Sequence, residues 1–293
     1  MSPDRAGTRE DTMDIEAIAW GYGLIEGPRS DDAGNLYFSD VPNGGVRRLE
    51  PDGSVAVVVP KRRGVGGIAL HADGGIVVSG RTICHVRDGA SRVLFAPDAP
   101  GLNDLFIDAA GHVICGTMRS DPFDETGPRT PGECWRVDAE GDATMLYADV
   151  RLTNGIGLSP DGSVLYHSDT AVHGVLAHDY SASATGDAAA SSRHFLVQRD
   201  DLMPDGLAVD EDGTVWVADV SGSRSVRGFS PAGDEVGRVS VPARMVTSLC
   251  FGGPDRRDLF IVTADNTADP ERLGTIFRTR VTTPGCAVAS ATV

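Results

Sequence analysis

The chain has 293 residues, of which 41% are hydrophobic and 23% are charged, a composition typical of a soluble globular protein. Lysine and arginine number 26 against 42 aspartate and glutamate residues, so the formal net charge is −16. Because such a surface repels phosphate backbones and anionic lipids, we expect neither nucleic acid nor a membrane as a partner.

The N-terminal residues are polar and lack the apolar core of a signal peptide. We therefore expect residues 1–12 to be disordered and the protein to be cytoplasmic. The five cysteines are odd in number and lack the spacing of a zinc site. Cys84, Cys115 and Cys250 lie within apolar strand patterns, which favours buried free thiols and agrees with a reducing compartment.

A nine-residue segment recurs along the chain, and each copy runs from an opening residue through an apolar stretch to a turn glycine. The opening residues are Glu26, Gly66, Asn103, Asn154 and Asp205, and the turn glycines are Gly34, Gly74, Gly111, Gly162 and Gly213. A sixth copy begins at Thr247 if its turn carries a two-residue insertion. A fixed internal repeat of this length is typical of a repeat architecture.

Each turn glycine is followed by short β-branched and aromatic runs, which predict further strands. The first copy continues through a third strand and turn over residues 46–53 and a fourth strand over residues 54–60. Four antiparallel strands repeated every 40 to 50 residues predict an all-β, six-bladed β-propeller. Residues 13–293 would form one domain, and Asp14 to Gly23 would supply the outer strand of the last blade. Two inserts, at 119–132 and 181–193, interrupt the pattern.

The opening residues of the repeats are predicted to meet at one end of the central channel. Glu26 and Asp205 bring two carboxylates there, and Asn103 and Asn154 bring two amides. An all-oxygen set indicates a site for one divalent cation at the axis, with Ca²⁺ favoured and Mg²⁺, Mn²⁺ or Zn²⁺ as alternatives. For each residue taken singly, a plain turn-forming role before glycine is the competing interpretation.

The chain resembles the senescence marker protein/gluconolactonase (regucalcin-like) family over about residues 26–277. The matching motifs are EGP at Glu26, RRLEPDG at Arg47, ND at Asn103, GTM at Gly116, TNGIGLSPDGSVLYHSDT from Thr153, PDGLAVDEDGTVWVAD from Pro204 and FGGPD from Phe251. The combination is specific, although each motif alone is weak.

The resemblance implies a divalent-metal-dependent hydrolase of lactones or related activated esters, in which water attacks a metal-polarised carbonyl. It implies metal ligation by Glu26, Asn154 and Asp205, with Asn103 close to metal and substrate. We predict Asp205 and Asn103 as catalytic residues, with Asp205 the best candidate base for the attacking water. Asp205 serving only as a ligand is the alternative. A phosphotriesterase or arylesterase type of propeller using the same ion is one alternative. A non-catalytic calcium-binding propeller is another. The oligomeric state is open, and a monomer is compatible with the sequence.

The predicted substrate-binding residues are Asn103, Gly101, Leu105 and Asp121. In sugar-lactonase members of the family, an arginine that grips the sugar stands where this chain has Gly101, and a glycine stands where it has Leu105. Asp121 is only a loose match to the family's acidic residue after GTM. These departures favour a substrate with fewer hydroxyl groups than a glucono-lactone.

Overall fold

A computed structural model describes residues 14–121, 127–180 and 193–293 of the chain. The segment predicted to be disordered, residues 1–12, lies outside the described residues, and so do parts of both inserts. No helix in the described ranges has the length and hydropathy needed to cross a membrane.

The described residues form six four-stranded antiparallel sheets, which confirms the predicted six-bladed propeller. The strands are β1 (Glu16–Tyr22), β2 (Ile25–Ser30), β3 (Leu36–Asp40), β4 (Val46–Leu49), β5 (Val55–Val59), β6 (Ile68–Leu70), β7 (Ile76–Val78), β8 (Ile83–Arg87), β9 (Ala90–Phe95), β10 (Gly101–Ile107), β11 (Val113–Met118), β12 (Gly132–Val137), β13 (Ala143–Val150), β14 (Thr153–Leu158), β15 (Val164–Asp169), β16 (Gly174–Asp179), β17 (His194–Gln198), β18 (Pro204–Val209), β19 (Val215–Asp219), β20 (Ser225–Phe229), β21 (Glu235–Ser240), β22 (Val246–Gly252), β23 (Asp258–Thr263) and β24 (Gly274–Arg280). Short 3₁₀ helices span Thr170–Val172 and Pro270–Arg272.

Blades 1 to 5 each use four consecutive strands, starting from β2, β6, β10, β14 and β18. Blade 6 contains β22, β23 and β24, and β1 is its outermost strand. Ala17 pairs with Phe277 and Trp20 with Thr275, so the N-terminal strand closes the ring as predicted. The inner strands β2, β6, β10, β14, β18 and β22 each contact their two neighbours around the ring.

Six clusters of buried apolar side chains lie between neighbouring blades of the described structure. Successive side chains of a strand point to opposite faces of its sheet. Because each blade packs against a neighbouring blade on both faces, both faces are apolar. Cys84, Cys115 and Cys250 lie in three of these clusters as buried free thiols, as the strand pattern predicted.

The C-terminal segment, residues 285–293, crosses the end of the ring where the repeat turns lie. Gly285 forms a bridge with Asp210 of blade 5, and Ala291 forms one with His71 of blade 2. Val293 is buried, and its carbonyl oxygen lies 2.9 Å from His71 Nε2. Because blades 2 and 5 face each other across a six-membered ring, this segment covers the end of the channel opposite the opening residues.

We predict that β1 stabilises the closed ring by pairing with β24. A chain shortened by residues 1–22 should lose at least about 3 kcal/mol of unfolding free energy, because apolar burial and a ladder of hydrogen bonds are removed together. The measurement is urea unfolding followed by tryptophan fluorescence. A chain shortened only by residues 1–13 is the control and should unfold like the full-length chain. Equal stability of the two shortened chains would contradict this role of β1.

Candidate active site at one end of the channel

The residues that open the six repeats are called the axial residues here. They are Glu26, Gly66, Asn103, Asn154, Asp205 and Thr247. Five of them are the second or third residue of an inner strand, and Gly66 lies two residues before β6. In every blade except blade 2, the pairing of the inner strand with the second strand is interrupted by a register shift at this point. A bulge re-aims a side chain that a regular ladder would direct into a blade core. The bulges therefore explain how the repeat directs these side chains to one place.

Glycine follows the axial residue in blades 1, 2, 4 and 5, and it lets neighbouring inner strands approach closely. A Cβ atom at Gly27 would lie 2.9 Å from the carbonyl oxygen of Gly66 in the next blade. Side chains at Gly155 and Gly206 would likewise collide with the following inner strand. The ring is consequently narrow at this level, which brings its polar side chains together.

Glu26 and Asp205 are buried carboxylates, with 9% and 7% of their surfaces exposed. Burial raises the pKa of Glu26 well above its usual value, and the charges of Asp205 and Asp104 raise it further. Burial and the charge of Asp104 likewise raise the pKa of Asp205. Asp205 Oδ1 is buried without a hydrogen-bond partner. Such an atom is costly unless a proton or a cation satisfies it.

Asp104 is a third carboxylate of the site, and the sequence analysis did not select it. Burial raises its pKa to about 6, although the Leu105 amide and the Arg29 guanidinium act in the opposite direction. Its Oδ1 accepts a hydrogen bond of 2.7 Å from the Leu105 amide. The signal was present in the sequence, since Asp104 holds the position after the axial residue that four other repeats give to glycine.

Asn103 and Asn154 are joined to each other and to the neighbouring strands. Asn103 Nδ2 donates to the Thr153 carbonyl at 2.9 Å and also to Asn154 Oδ1. Asn154 Nδ2 donates to Thr170 Oγ1 at 2.7 Å. Both amide hydrogens of Asn103 are therefore engaged within the ring, and its Oδ1 points toward Gly66, where a Cβ atom would collide with it.

The other predicted substrate-binding residues, Gly101, Leu105 and Asp121, do not lie in one common place. Gly101 starts β10, and a Cβ atom there would meet only Met118 Cε at 3.6 Å and the Gly80 carbonyl oxygen at 3.7 Å. Leu105 is fully buried in the core between blades 2 and 3, so its side chain packs inside the protein rather than along the channel. Asp121 is exposed and directly precedes residues outside the described ranges.

Asp169 and Asp219, which end the second strands of blades 4 and 5, serve as blade-structural residues. Asp169 accepts hydrogen bonds from the amides of Arg151 and Leu152 at 2.8 and 2.9 Å. Asp219 accepts from the amides of Met203 and Ser221. Their carboxylates fix the loops that enter the inner strands.

The axial donor set fits a hard divalent cation in its chemistry. Glu26, Asp205 and Asn154 offer oxygen atoms only, and the unpaired Asp205 Oδ1 lacks any other partner. Within the described residues, no three His, Cys, Asp or Glu side chains form a ready-made metal cluster. An ion at the axis would thus depend on the amide of Asn154 as well as on the two carboxylates.

A sequence model of the SMP-30/gluconolactonase/LRE-like region matches residues 24–265. The 6-deoxy-6-sulfogluconolactonase of Pseudomonas putida is 33% identical over 267 residues, which cover 86% of this chain and 89% of that protein. The pentonolactonase XacC of Haloferax volcanii is 31% identical over 253 residues, covering 84% and 83%. A calcium-binding protein, regucalcin, from Agrobacterium tumefaciens shares the fold with a TM-score of 0.80 at 22% identity, covering 96% and 98%. The chain belongs to the SMP-30/gluconolactonase/LRE-like family.

Proposed function

We propose that this protein is a divalent-metal-dependent hydrolase of lactones. The observation that carries the metal dependence is the buried charge at the channel end. The carboxylates of Glu26, Asp104 and Asp205 interact electrostatically with one another in the absence of any ion. The positively charged side chain that acts on Asp104 is the guanidinium of Arg29. Three carboxylates and one guanidinium leave two negative charges, which one divalent cation would balance.

Each residue of the site has a role that follows from its contacts. Glu26, Asn154 and Asp205 would hold the ion, and Ca²⁺ is favoured because all donors are oxygen. When bound, the ion supplies a Lewis acid that polarises the lactone carbonyl. Asp205 is also the proposed base. One of its carboxylate oxygens would hold the ion, and the other would accept a proton from the attacking water. The ring C–O bond then breaks, and that proton passes to the leaving oxygen, giving a hydroxy acid.

Asn103 is proposed to lie at the border between ion and substrate. Its amide hydrogens are taken by Thr153 and Asn154, so donation to a substrate oxygen requires the exchange of one of these bonds. Its Oδ1 remains available to face the ion or a water molecule.

Two curated relatives named as lactonases, both above 30% identity, support lactone hydrolysis as the reaction class. The regucalcin from Agrobacterium tumefaciens is described as a calcium-binding protein, which supports the choice of ion. The two alternative functions can be distinguished from lactone hydrolysis by the substrates that are turned over. A phosphotriesterase or arylesterase would prefer those esters, and a non-catalytic calcium-binding propeller would turn over none. A panel of lactones, aryl esters and phosphotriesters, assayed with Ca²⁺ and with a chelator, tests all three.

Substrate selectivity is proposed to depend on the gap at position 101. With glycine there, the pocket lacks the fixed guanidinium that would bind the hydroxyls of a sugar lactone. Met118 borders this position and makes it apolar. Apolar pockets tolerate variation, whereas sites built to bind a hydroxyl discriminate strongly for it. We therefore propose lactones with few ring hydroxyls as substrates, with Asp121 as an additional contact.

We predict that alanine at Glu26, Asn154 or Asp205 weakens Ca²⁺ binding at least about tenfold, because each change removes one donor from a small set. Isothermal titration of the chelator-stripped full chain measures the affinity, and lactone turnover measures the activity. Thr263→Val, a buried change within blade 6, is the control and should retain both. Unchanged Ca²⁺ affinity and turnover in Asp205→Ala would falsify the assignment, and turnover that survives chelation would exclude metal dependence.

We predict that Asp104 destabilises the metal-free protein at neutral pH. Its folded-state pKa of about 6 exceeds the usual 3.8, so its favourable contribution at low pH is lost as the pH rises through about 6. In the presence of a chelator, the unfolding free energy of Asp104→Asn relative to that of the wild type should increase by about 1 kcal/mol as the pH rises from about 5 to about 7.5. Urea unfolding at both pH values gives this difference directly. A constant offset between the two proteins would show that Asp104 is not strained by its charge.

We predict that Gly101→Arg shifts selectivity toward hydroxylated lactones. The contacts around position 101 are of ordinary van der Waals length, so the substitution should not disturb the fold. The measurement is kcat/KM for two lactones that differ only in ring hydroxyls. Gly101→Met, which adds length without donors, is the matched control and should not favour the hydroxylated member. A wild-type preference for the hydroxylated lactone would refute the proposed selectivity.

A further inference from the structure

Thr170 lies between two of the residues proposed to hold the ion. It follows β15, opens the short 3₁₀ helix Thr170–Val172, and is buried. Its hydroxyl receives a hydrogen bond from Asn154 Nδ2 at 2.7 Å and donates one to the Pro204 carbonyl at 2.6 Å. One side chain thus connects the axial amide of blade 4 with the residue directly before Asp205 in blade 5.

The direction of these hydrogen bonds follows from the chemistry of the partners. A carbonyl oxygen can only accept, so the single hydroxyl hydrogen of Thr170 is committed to Pro204. Thr170 Oγ1 can then only accept from Asn154, which places the NH₂ end of that amide toward Thr170. The Asn154 Oδ1 atom must therefore face Asn103 and the channel, where it also receives the Asn103 amide hydrogen.

Two other hydroxyl groups of the ring make the second of these contacts. Ser39 Oγ donates to the Val65 carbonyl, directly before axial Gly66, and Thr247 Oγ1 donates to the Ile25 carbonyl, directly before Glu26. Both tie neighbouring blades together, as Thr170 does with Pro204. Thr170 differs from them because its hydroxyl also hydrogen-bonds the side chain of Asn154, one of the residues proposed to hold the ion.

We propose that Thr170 is a positioning residue that fixes which end of the Asn154 amide faces the divalent cation. The inference rests on the proposed function, in which Asn154 and Asp205 hold that ion. Through Pro204, the same hydroxyl fixes the backbone next to Asp205. Thr170 itself touches neither ion nor substrate.

The test compares Thr170→Val with Thr170→Ser in the full-length chain. Valine keeps the shape but removes the acceptor, so the Asn154 amide can rotate and present its NH₂ group to the ion. Ca²⁺ affinity, measured by isothermal titration, should fall by about 10- to 100-fold, as is usual when a partner that orients a metal ligand is lost. Thr170→Ser should restore it. Loss of affinity in both variants, or in neither, would overturn the proposal.

A second background separates orientation from general loosening of the ring. In Asn154→Asp both ends of the side chain are oxygen atoms, so orientation no longer matters, and adding Thr170→Val should cost little further Ca²⁺ affinity. An equal loss in both backgrounds would show a structural role only. Thr263→Val, which removes buried hydroxyl hydrogen bonds within blade 6, should bind Ca²⁺ nearly as the wild type does. An affinity loss as large as that of Thr170→Val would likewise contradict the proposal.

The same titrations distinguish this inference from the proposed function. If Asp205→Ala abolishes Ca²⁺ binding while Thr170→Val leaves it intact, the ion site stands and the positioning role fails. If neither change affects binding, the ion site itself is wrong.

Discussion

The narrowness of the ring formed by the six inner strands is the constraint on which the site depends. Glycine after the axial residue lets one inner strand press against the backbone of the next, as Gly27 does against Gly66. The axial side chains then have no room to separate, and their carboxylates are removed from water together. Burial and mutual repulsion raise the pKa values of Glu26 and Asp205 for this reason. Close packing of the blades and the grouping of buried carboxylates at the channel end are thus two results of one geometry.

Blade 3 departs from that pattern in an informative way. Asp104 replaces the glycine, and its carboxylate accepts a hydrogen bond from the Leu105 amide, while the Ile156 amide of blade 4 acts to lower its pKa. The junction between blades 3 and 4 is therefore spanned by a charged side chain, with Arg29 contributing from blade 1. A bare close contact, as at the four junctions formed by glycine, would leave the site with one carboxylate fewer.

Much of the fold could be predicted because the repeat is marked by regularly spaced turn glycines and by short strand patterns between them. The six blades, the use of Asp14 to Gly23 to close the ring, and the buried cysteines all follow from local patterns. The position of Leu105 does not follow. Counting alternate residues from Asn103 places Leu105 on the channel side, but the register shift between Leu102 and Leu105 turns it into the core. Asp104 could have been found from its position after an axial residue. Thr170 could not, because its partners Asn154 and Pro204 lie 16 and 34 residues away in the sequence.

Each end of the described chain contacts a strand that lies far away from it in the sequence. β1 pairs with β24, and the segment 285–293 packs against blade 2, where Ala291 bonds to the Leu70 carbonyl. Contacts of such separation form late and slowly in folding. During synthesis, blades 1 to 5 emerge before either contact exists, leaving an open arc with unpaired edges. The carboxylates of blades 1, 3 and 5 would not be held at their final separations until the arc closes. Before that point, the proposed cation site would therefore offer only a partial set of its ligands.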